Sequence, residues 1–221
     1  MCNSDFQVNL ILPCSIQYRM HPTISALPSK LFYGSKLKDG PDMATKTAQQ
    51  WHNSALLGVY KFFNAIKGQE ETSGKSQVNR VEARIILAIY QRIRAEFPKV
   101  DLDFRIGVIT MYRAQLDELK RIFLSVLGRD ALRLVDFNTV DGFQGQEKDI
   151  IILSCVRAGP GVNSIGFLSD VRRMNVALTR CRSSLYIVGH AATLERSDET
   201  WKVIVQDARD RSCLIDVRFS P

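Results

Sequence analysis

The segment 149–156 (DIIILSCV) constrains this chain more than any other, because it is the most apolar run in the sequence. It is far shorter than the roughly 20 apolar residues of a membrane span, and it lacks the alternation of a half-exposed strand. It reads as a central parallel strand covered on both faces. Around it, strand-like and helix-like segments alternate. Residues 58–63 (GVYKFF), 105–110 (RIGVIT), 184–188 (SLYIV) and 213–217 read as further strands. Residues 79–97 read as an amphipathic helix with Val81, Ile85, Ile86, Ile89 and Ile93 on one face. Asn79, with Glu82 three positions on, has the arrangement of an N-cap and its reciprocal carboxylate. Leu116, Leu119, Ile122, Phe123 and Val126 mark the apolar stripe of a second helix. Residues 170–180, capped by Asp170, and 199–209 give two more. Such alternation implies an α/β domain with a mostly parallel central β-sheet flanked by helices. Ligands of such sheets gather at the carboxyl ends of strands, where the polar segments below are expected to lie.

The 221 residues suit one domain spanning 1–221, with 1–16 as a possible boundary segment. Residues 34–57 and 67–78 are polar and aperiodic and are expected to be loops. No transmembrane helix is expected, and the N-terminus has no basic region followed by an apolar core, so it does not read as a signal peptide. Cysteines 2, 14, 155, 181 and 213 form no CxxC pair. Their spacing offers neither a disulfide framework nor a zinc site, which fits reduced thiols in an intracellular compartment. The formal charge of +7 permits a phosphate-rich partner without requiring one.

Gly74-Lys75-Ser76 has the wording of a phosphate loop but not its context. The earlier glycine that the pattern needs is replaced by Gln69, and no apolar strand runs into the segment. No apolar run ends in Asp-Glu to hold magnesium. The chain by itself is therefore expected to lack the parts that hold nucleotide phosphates and metal.

Three segments carry chemistry. Gln17-Tyr18-Arg19-Met20-His21-Pro22 sets an aromatic ring, able to stack on a base, beside a cation suited to phosphate oxygens. A buried tyrosine beside a surface arginine explains it as well. In the segment Thr139-Val140-Asp141-Gly142-Phe143-Gln144-Gly145-Gln146-Glu147-Lys148-Asp149, two glycines permit close approach of backbone to a ligand. There Gln144 offers hydrogen bonds and Glu147 an acceptor for sugar hydroxyls, although a tight turn with solvated charges has the same composition. In 170–182, Arg173 and Arg180 are seven apart and would share a helix face. An arginine there suits a finger offsetting charge on a transferring phosphoryl group, or is ordinary helix-surface charge.

Taken together and in order, these segments closely resemble the C-terminal motor domain of superfamily 1 helicases in the group of senataxin and the nonsense-mediated-decay helicase. The matching text includes Pro28-Ser29, Phe32-Tyr33, Leu37-Lys38-Asp39-Gly40, Asn79-Arg80-Val81-Glu82-Ala83, Ile106-Gly107-Val108-Ile109-Thr110, Tyr112 and Gln115, and spans nearly the whole chain except 41–76. The tail Gly189-His190, Thr193-Leu194, Trp201, Asp207-Ala208 and Arg211 resembles senataxin more than its relatives.

The resemblance implies a second RecA-like domain, with ATP and Mg2+ in a cleft against a first RecA-like domain that holds the metal. It implies that Tyr18 stacks on adenine and Arg19 reaches the γ-phosphate. Glu147 would contact the ribose side, Arg180 would be a second phosphate-sensing arginine, and Gln144 would couple the nucleotide to the strand. Thr110, Tyr112 and Thr139 fall where the family grips the backbone of single-stranded RNA or DNA, or of RNA–DNA hybrids. This chain has Met111 where relatives often carry proline or histidine, and Cys181 where alanine is common, as a small packing substitution. His21 and His190 are expected to be structural. A 5′-to-3′ helicase in the nucleus follows from the resemblance, with the isolated chain inactive. A non-catalytic RecA-like module binding nucleic acid or a protein is the alternative.

Overall fold

The structure, a computed structural model, describes residues 16–162 and 164–218. Most of the expected boundary segment, with Cys2 and Cys14, lies outside the described residues. The first half of the chain forms β1 (Ile16–Gln17), α1 (Pro22–Phe32), β2 (Lys38–Asp39), α2 (Met43–Lys46), β3 (Tyr60–Ala65), β4 (Glu71–Ser73), β5 (Ser76–Val78), α3 (Arg80–Glu96) and β6 (Ile106–Thr110). The second half forms α4 (Arg113–Leu127), α5 (Arg129–Leu134), β7 (Val135–Thr139), β8 (Lys148–Ser154), α6 (Val171–Leu178), β9 (Cys181–Gly189), α7 (Ala191–Ser197), α8 (Glu199–Asp210) and β10 (Leu214–Val217).

Six strands form one sheet in the order β10-β3-β9-β8-β6-β7, every neighbouring pair parallel. The apolar run is its interior strand β8, and Ile150, Ile151, Ile152 and Leu153 have no exposed surface. Their alternate side chains enter two cores. Ile151 and Leu153 pack with Met174, Leu178, Trp201 and Ile204 beneath α1, α6 and α8. Ile150 and Ile152 pack with Ile85, Ile86, Ile93, Leu119 and Phe123 beneath α3 and α4. Covering both faces is what an all-parallel sheet requires. The α/β class and its helices are as the periodicity implies.

Several expectations change in detail. Val126 is 53% exposed, and the stripe of α4 runs from Phe123 to partly buried Leu127 instead. Residues 34–57 hold β2, α2 and the fully buried Trp51, whose indole N–H donates to Ser184 Oγ of β9 at 2.9 Å. Residues 67–78 hold the antiparallel hairpin β4–β5, and Gly74-Lys75 lie at its turn. A strand-to-helix phosphate loop is geometrically different from such a hairpin. Asn79 caps α3 by accepting from Glu82 N at 3.1 Å. Its backbone N–H goes to Gln115 Oε1 instead of to the Glu82 carboxylate, which accepts from Asn79 Nδ2 at 3.3 Å. Cys155, Cys181 and Cys213 are free thiols. Cys181 packs without exposed surface, and burial pushes its thiol up to about 12. Among the described residues, no helix is long and apolar enough to cross a membrane.

Candidate functional site

The side chain of Gln17 folds its own neighbourhood into a turn. Its Oε1 accepts from Arg19 N at 2.9 Å and from Met20 N at 2.7 Å, and its Nε2 donates to Met20 O and to the Asp39 carboxylate. The turn sends Tyr18 outward, 66% exposed, and Arg19 across to β8. Gly40 makes room for the ring, since a Cβ there would fall 2.4 Å from Tyr18 Cδ1. An aromatic face is thus held on one side by backbone while the rest of the ring stays available for stacking.

Arg19 meets a concentration of charge. Its Nε donates to Glu147 Oε2 at 2.5 Å and its Nη1 to Thr179 O at 3.0 Å. Arg182, near the start of β9, pairs with the other oxygen of Glu147. Arg180 has no carboxylate of its own among the described residues and donates only to Val176 O (3.1 Å) and Thr179 Oγ1 (3.4 Å) at the end of α6. Two guanidinium groups therefore pair with one carboxylate, and that of Arg180 lines the same cleft without pairing with it. Burial raises the Glu147 carboxyl, but the hydrogen bonds and charges of Arg182 and Arg19 outweigh it and hold the group below its ordinary range. Burial, then the neighbouring Arg19 charge, lowers Arg180 from its usual value. It stays protonated, as arginine does. A desolvated cation facing another cation is a place where an added anion is stabilised. Arg19, Glu147 and Arg180 line a cleft of about 470 Å³ with Tyr18 and Tyr33. A smaller cavity of about 290 Å³, lined by Met43, Lys46 and Thr47, adjoins Arg19 and Arg182.

This cleft lies at the amino end of β8 and β9, because Glu147 and Arg180 immediately precede those strands. The expected position at carboxyl ends is corrected for this half of the site. The carboxyl ends of β6, β7 and β8 form a different feature, a groove of about 550 Å³ lined by Lys75, Gln77, Met111, Arg113, Thr139 and Phe167, among others. Phe167 is 55% exposed with the Arg173 guanidinium 5.2 Å from its ring centre. Arg173 also pairs with Asp141 through two 2.9 Å bonds.

The structure thus brings Tyr18, Arg19, Glu147 and Arg180 together and leaves the other expected residues elsewhere. The α6 helix ends at Leu178, so Arg180 lies beyond it and does not share a helix face with Arg173, which turns to the groove. Gln144 is exposed and does not line the cleft. Thr110 is fully buried, its Oγ1 accepting from Tyr112 N, and Tyr112 is 5% exposed with its hydroxyl donating to Ile165 O at 2.9 Å. Thr110 lies beneath the groove, whereas Tyr112 and Thr139 line it. The close approach at Gly142 is to Asn138, not to an open site, since a Cβ would fall 2.2 Å from Asn138 Oδ1. Sequence reasoning missed Arg182, Lys46 and Gln17. Arg182 was recognisable as the one charged position in β9. His21 and His190 are N-caps of α1 and α7, accepting from Thr23 N and Thr193 N. Among the described residues, no cluster of His, Cys, Asp or Glu could hold a metal ion.

Comparison with known proteins gives a consistent set. The AAA domain family matches residues 7–192. Helicase SEN1 of Saccharomyces cerevisiae is 45% identical over 202 residues, which are 90% of this chain and 9% of that protein. Helicase sen1 of Schizosaccharomyces pombe is 49% identical over 198 residues, 89% of this chain and 12% of that one. Probable helicase senataxin of Homo sapiens is 36% identical over 207 residues, 93% and 7% of the two lengths. The chain therefore spans a small fraction of the relatives it matches.

Proposed function

The chain belongs to the AAA domain family, and within it to the superfamily 1 helicases of the senataxin and nonsense-mediated-decay group; from that premise we propose that it is the second RecA-like motor domain of an ATP-dependent 5′-to-3′ helicase. The observation that carries this reading is the Arg180 guanidinium, without a carboxylate partner among the described residues, in one cleft with the Arg19–Glu147 pair and the exposed ring of Tyr18. An excess of positive charge next to an aromatic platform fits a nucleoside triphosphate. Bound ATP with Mg2+ supplies the transferable phosphoryl group and the metal's charge, and the phosphate loop and metal ligands are assigned to a first RecA-like domain.

Within this chain, Tyr18 stacks on the base and Glu147 fixes the aim of Arg19 and Arg182 while facing the ribose side. Arg19 and Arg180 offset the charge that develops on the phosphoryl oxygens, the main way proteins accelerate such transfers. Because these cations sit on one domain and the metal ligands on the other, turnover requires the two to close, and each closure moves one strand-binding surface against the other. The surface on this chain is the groove at Thr139, with Gln77, Lys75, Arg113 and Phe167. Cations track a backbone and an exposed ring stacks on bases without reading sequence. Its track is single-stranded RNA or DNA, or the displaced strand of an RNA–DNA hybrid, and its compartment the nucleus. Gln144, in the segment between groove and cleft, transmits rather than contacts.

The test is strand-stimulated ATP turnover by the longer protein. Arg180→Ala is expected to lower kcat by about 10³-fold, the low end for a phosphoryl-stabilising arginine, with Tm nearly unchanged. Arg180→Lys should recover little, because an ammonium cannot present the same planar fork. Unchanged turnover would remove Arg180 from this role.

A further inference from the structure

Val156, one residue past Cys155 at the end of β8, is a β-branched residue with φ +71° and no exposed surface. Arg157 N donates to Cys155 O at 2.8 Å, closing a three-residue turn about it. A γ-turn with positive φ at its centre is rare and strained, and a β-branched centre makes it worse, at a cost of about 1–3 kcal/mol. Something must hold it.

The holding groups come from the N-terminus of α3. Val156 N donates to Glu82 Oε2 at 2.8 Å, and Val156 O accepts from Asn79 Nδ2 at 3.0 Å. Both backbone groups of the strained residue are therefore gripped by side chains. The grip is itself braced: Ser154 Oγ donates to the same Glu82 oxygen at 2.7 Å, and Gln115 Nε2 donates to Ser154 Oγ at 3.0 Å and to Asn79 O at 3.1 Å. Glu82, Asn79, Gln115 and Ser154 are all fully buried. No Lys, Arg or His pairs with Glu82 among the described residues, so the carboxyl is buried without a counter-charge. Fixing a turn is the one task this geometry shows for it.

Beyond the turn the chain enters the groove wall. Arg157 and Ala158 are fastened to Glu70, Arg157 by bonds of 2.6 and 3.1 Å, and Gly166 and Phe167 reach the groove itself. We propose that Glu82, with Asn79, is a positioning residue for the strand groove, holding Val156 in its left-handed turn so that Arg157 and Phe167 stand where a bound strand passes. The inference rests on the groove reading given above, and adds a residue that touches no ligand.

The test is a double-mutant cycle with Val156→Gly, since glycine takes the left-handed turn without being held. Binding of a fluorescently labelled single-stranded oligouridine to this chain is read by anisotropy. Glu82→Ala is expected to weaken binding about tenfold in the parent but about threefold or less in the Val156→Gly background. Glu82→Gln keeps an acceptor for Val156 N and is expected to stay within about threefold of the parent. Equal losses in both backgrounds would overturn the proposal, because a general loss of stability would not depend on residue 156. If the parent binds no oligonucleotide, the groove reading fails, and amide exchange at Arg157, Ala158 and Phe167 decides the positioning role. Exchange there should quicken in Glu82→Ala and slow again in the double variant; quickening that persists in the double variant overturns it. Should Glu82→Ala not fold, the double variant is expected to fold, and its failure to do so would equally count against the proposal.

Discussion

Tyr18 combines exposure with fixed aim: two-thirds of the side chain faces solvent, yet Gln17 sets its backbone and Gly40 receives its ring. A group that stacks on the base and does not touch the reacting phosphoryl binds ground state and transition state alike, so its loss belongs in KM. Tyr18→Ala is expected to raise the KM for ATP of the longer protein about tenfold, within the range for one stacked base, leaving kcat within about twofold. A fall in kcat with KM unchanged would move Tyr18 out of the platform role. Glu82 makes a prediction of another kind. Burial pushes its carboxyl up to about 8, against 4.5 in an unfolded chain, and the bonds from Ser154 and Val156 only partly counter that. The other titratable group facing it is the buried Cys155 thiol, itself held well above its ordinary value by the same burial. Between those two values the folded chain keeps a proton that the unfolded chain has released. The stability this group contributes is therefore complete below pH 4.5 and is lost as pH rises to 8, by at most about 1.4 kcal/mol per pH unit. Urea unfolding at pH 5 and pH 8 should show the parent losing more stability across that interval than Glu82→Gln, which cannot ionise. Parallel behaviour of the two proteins would mean that Glu82 does not hold its proton.

Two elements join the cleft to the groove. The segment 139–147 leaves the carboxyl end of β7 at Thr139 and reaches the amino end of β8 at Glu147, crossing the depth of the sheet. The α6 helix runs the same way, from the Asp170 cap and the Arg173–Asp141 pair at the groove to the carbonyls that receive Arg180 and Arg19 at the cleft. The crossing segment is pinned by fully buried Phe143, whose Cζ lies where Gly107 of β6 leaves room: a Cβ on Gly107 would come within 2.9 Å of it and of Ile151 Cδ1. Gly107→Ala is expected to cost about 1–3 kcal/mol by overpacking. It should also weaken both oligonucleotide binding and, in the longer protein, ATP turnover. A stability loss that leaves both functions intact would show that the crossing segment tolerates displacement. What was legible at this scale follows burial. The β6 and β8 strands and the α3 helix announce themselves because burial imposes a strict period on them. Other elements follow no such period. The α1 helix contains Pro22 and Pro28, tolerated at its first turn and in its body, so its sequence reads as irregular. The β7 strand (VDFNT) carries polar residues because it is the sheet's outer strand. Trp51 anchors a segment that is otherwise polar, and one indole sets no period. Of the site, Tyr18, Arg19, Glu147 and Arg180 were found by wording. Thr110 and Tyr112 lie near the groove, but Thr110 ends a central strand and is fully buried, and Tyr112 is covered by Ile165 and Phe167, contacts distant in sequence. Arg180 was placed on a helix because nothing local marks Thr179 as its end.

The molecule as a whole places its two candidate sites at opposite ends of one sheet. The cleft has cations and a stacking ring but, among the described residues, no carboxylate cluster for a metal. Among the described residues, the one carboxylate lining it, Glu147, is already shared by two arginines. In the proposed function, such a site attracts a triphosphate and leaves the attacking water and the metal to the first domain. The groove needs no second domain to attract a backbone. Lys75 carries no ion pair among the described residues, and Arg113 has only a 3.6 Å contact with Asp117, both largely exposed. Two available cations imply a shallow salt dependence, a slope of about −1.4 in log affinity against log salt for a single strand. The 221-residue chain alone is therefore expected to bind single-stranded oligonucleotides weakly, with that slope, while showing no magnesium-dependent ATP hydrolysis above background. Anisotropy titrations across a salt series and a phosphate-release assay on the same preparation separate the two halves of the expectation. Affinity independent of salt would remove the backbone-tracking groove yet leave the cleft standing. Sustained ATP turnover by the chain alone would mean that phosphate and metal ligands lie within it, and the two-domain assignment of the cleft would fall.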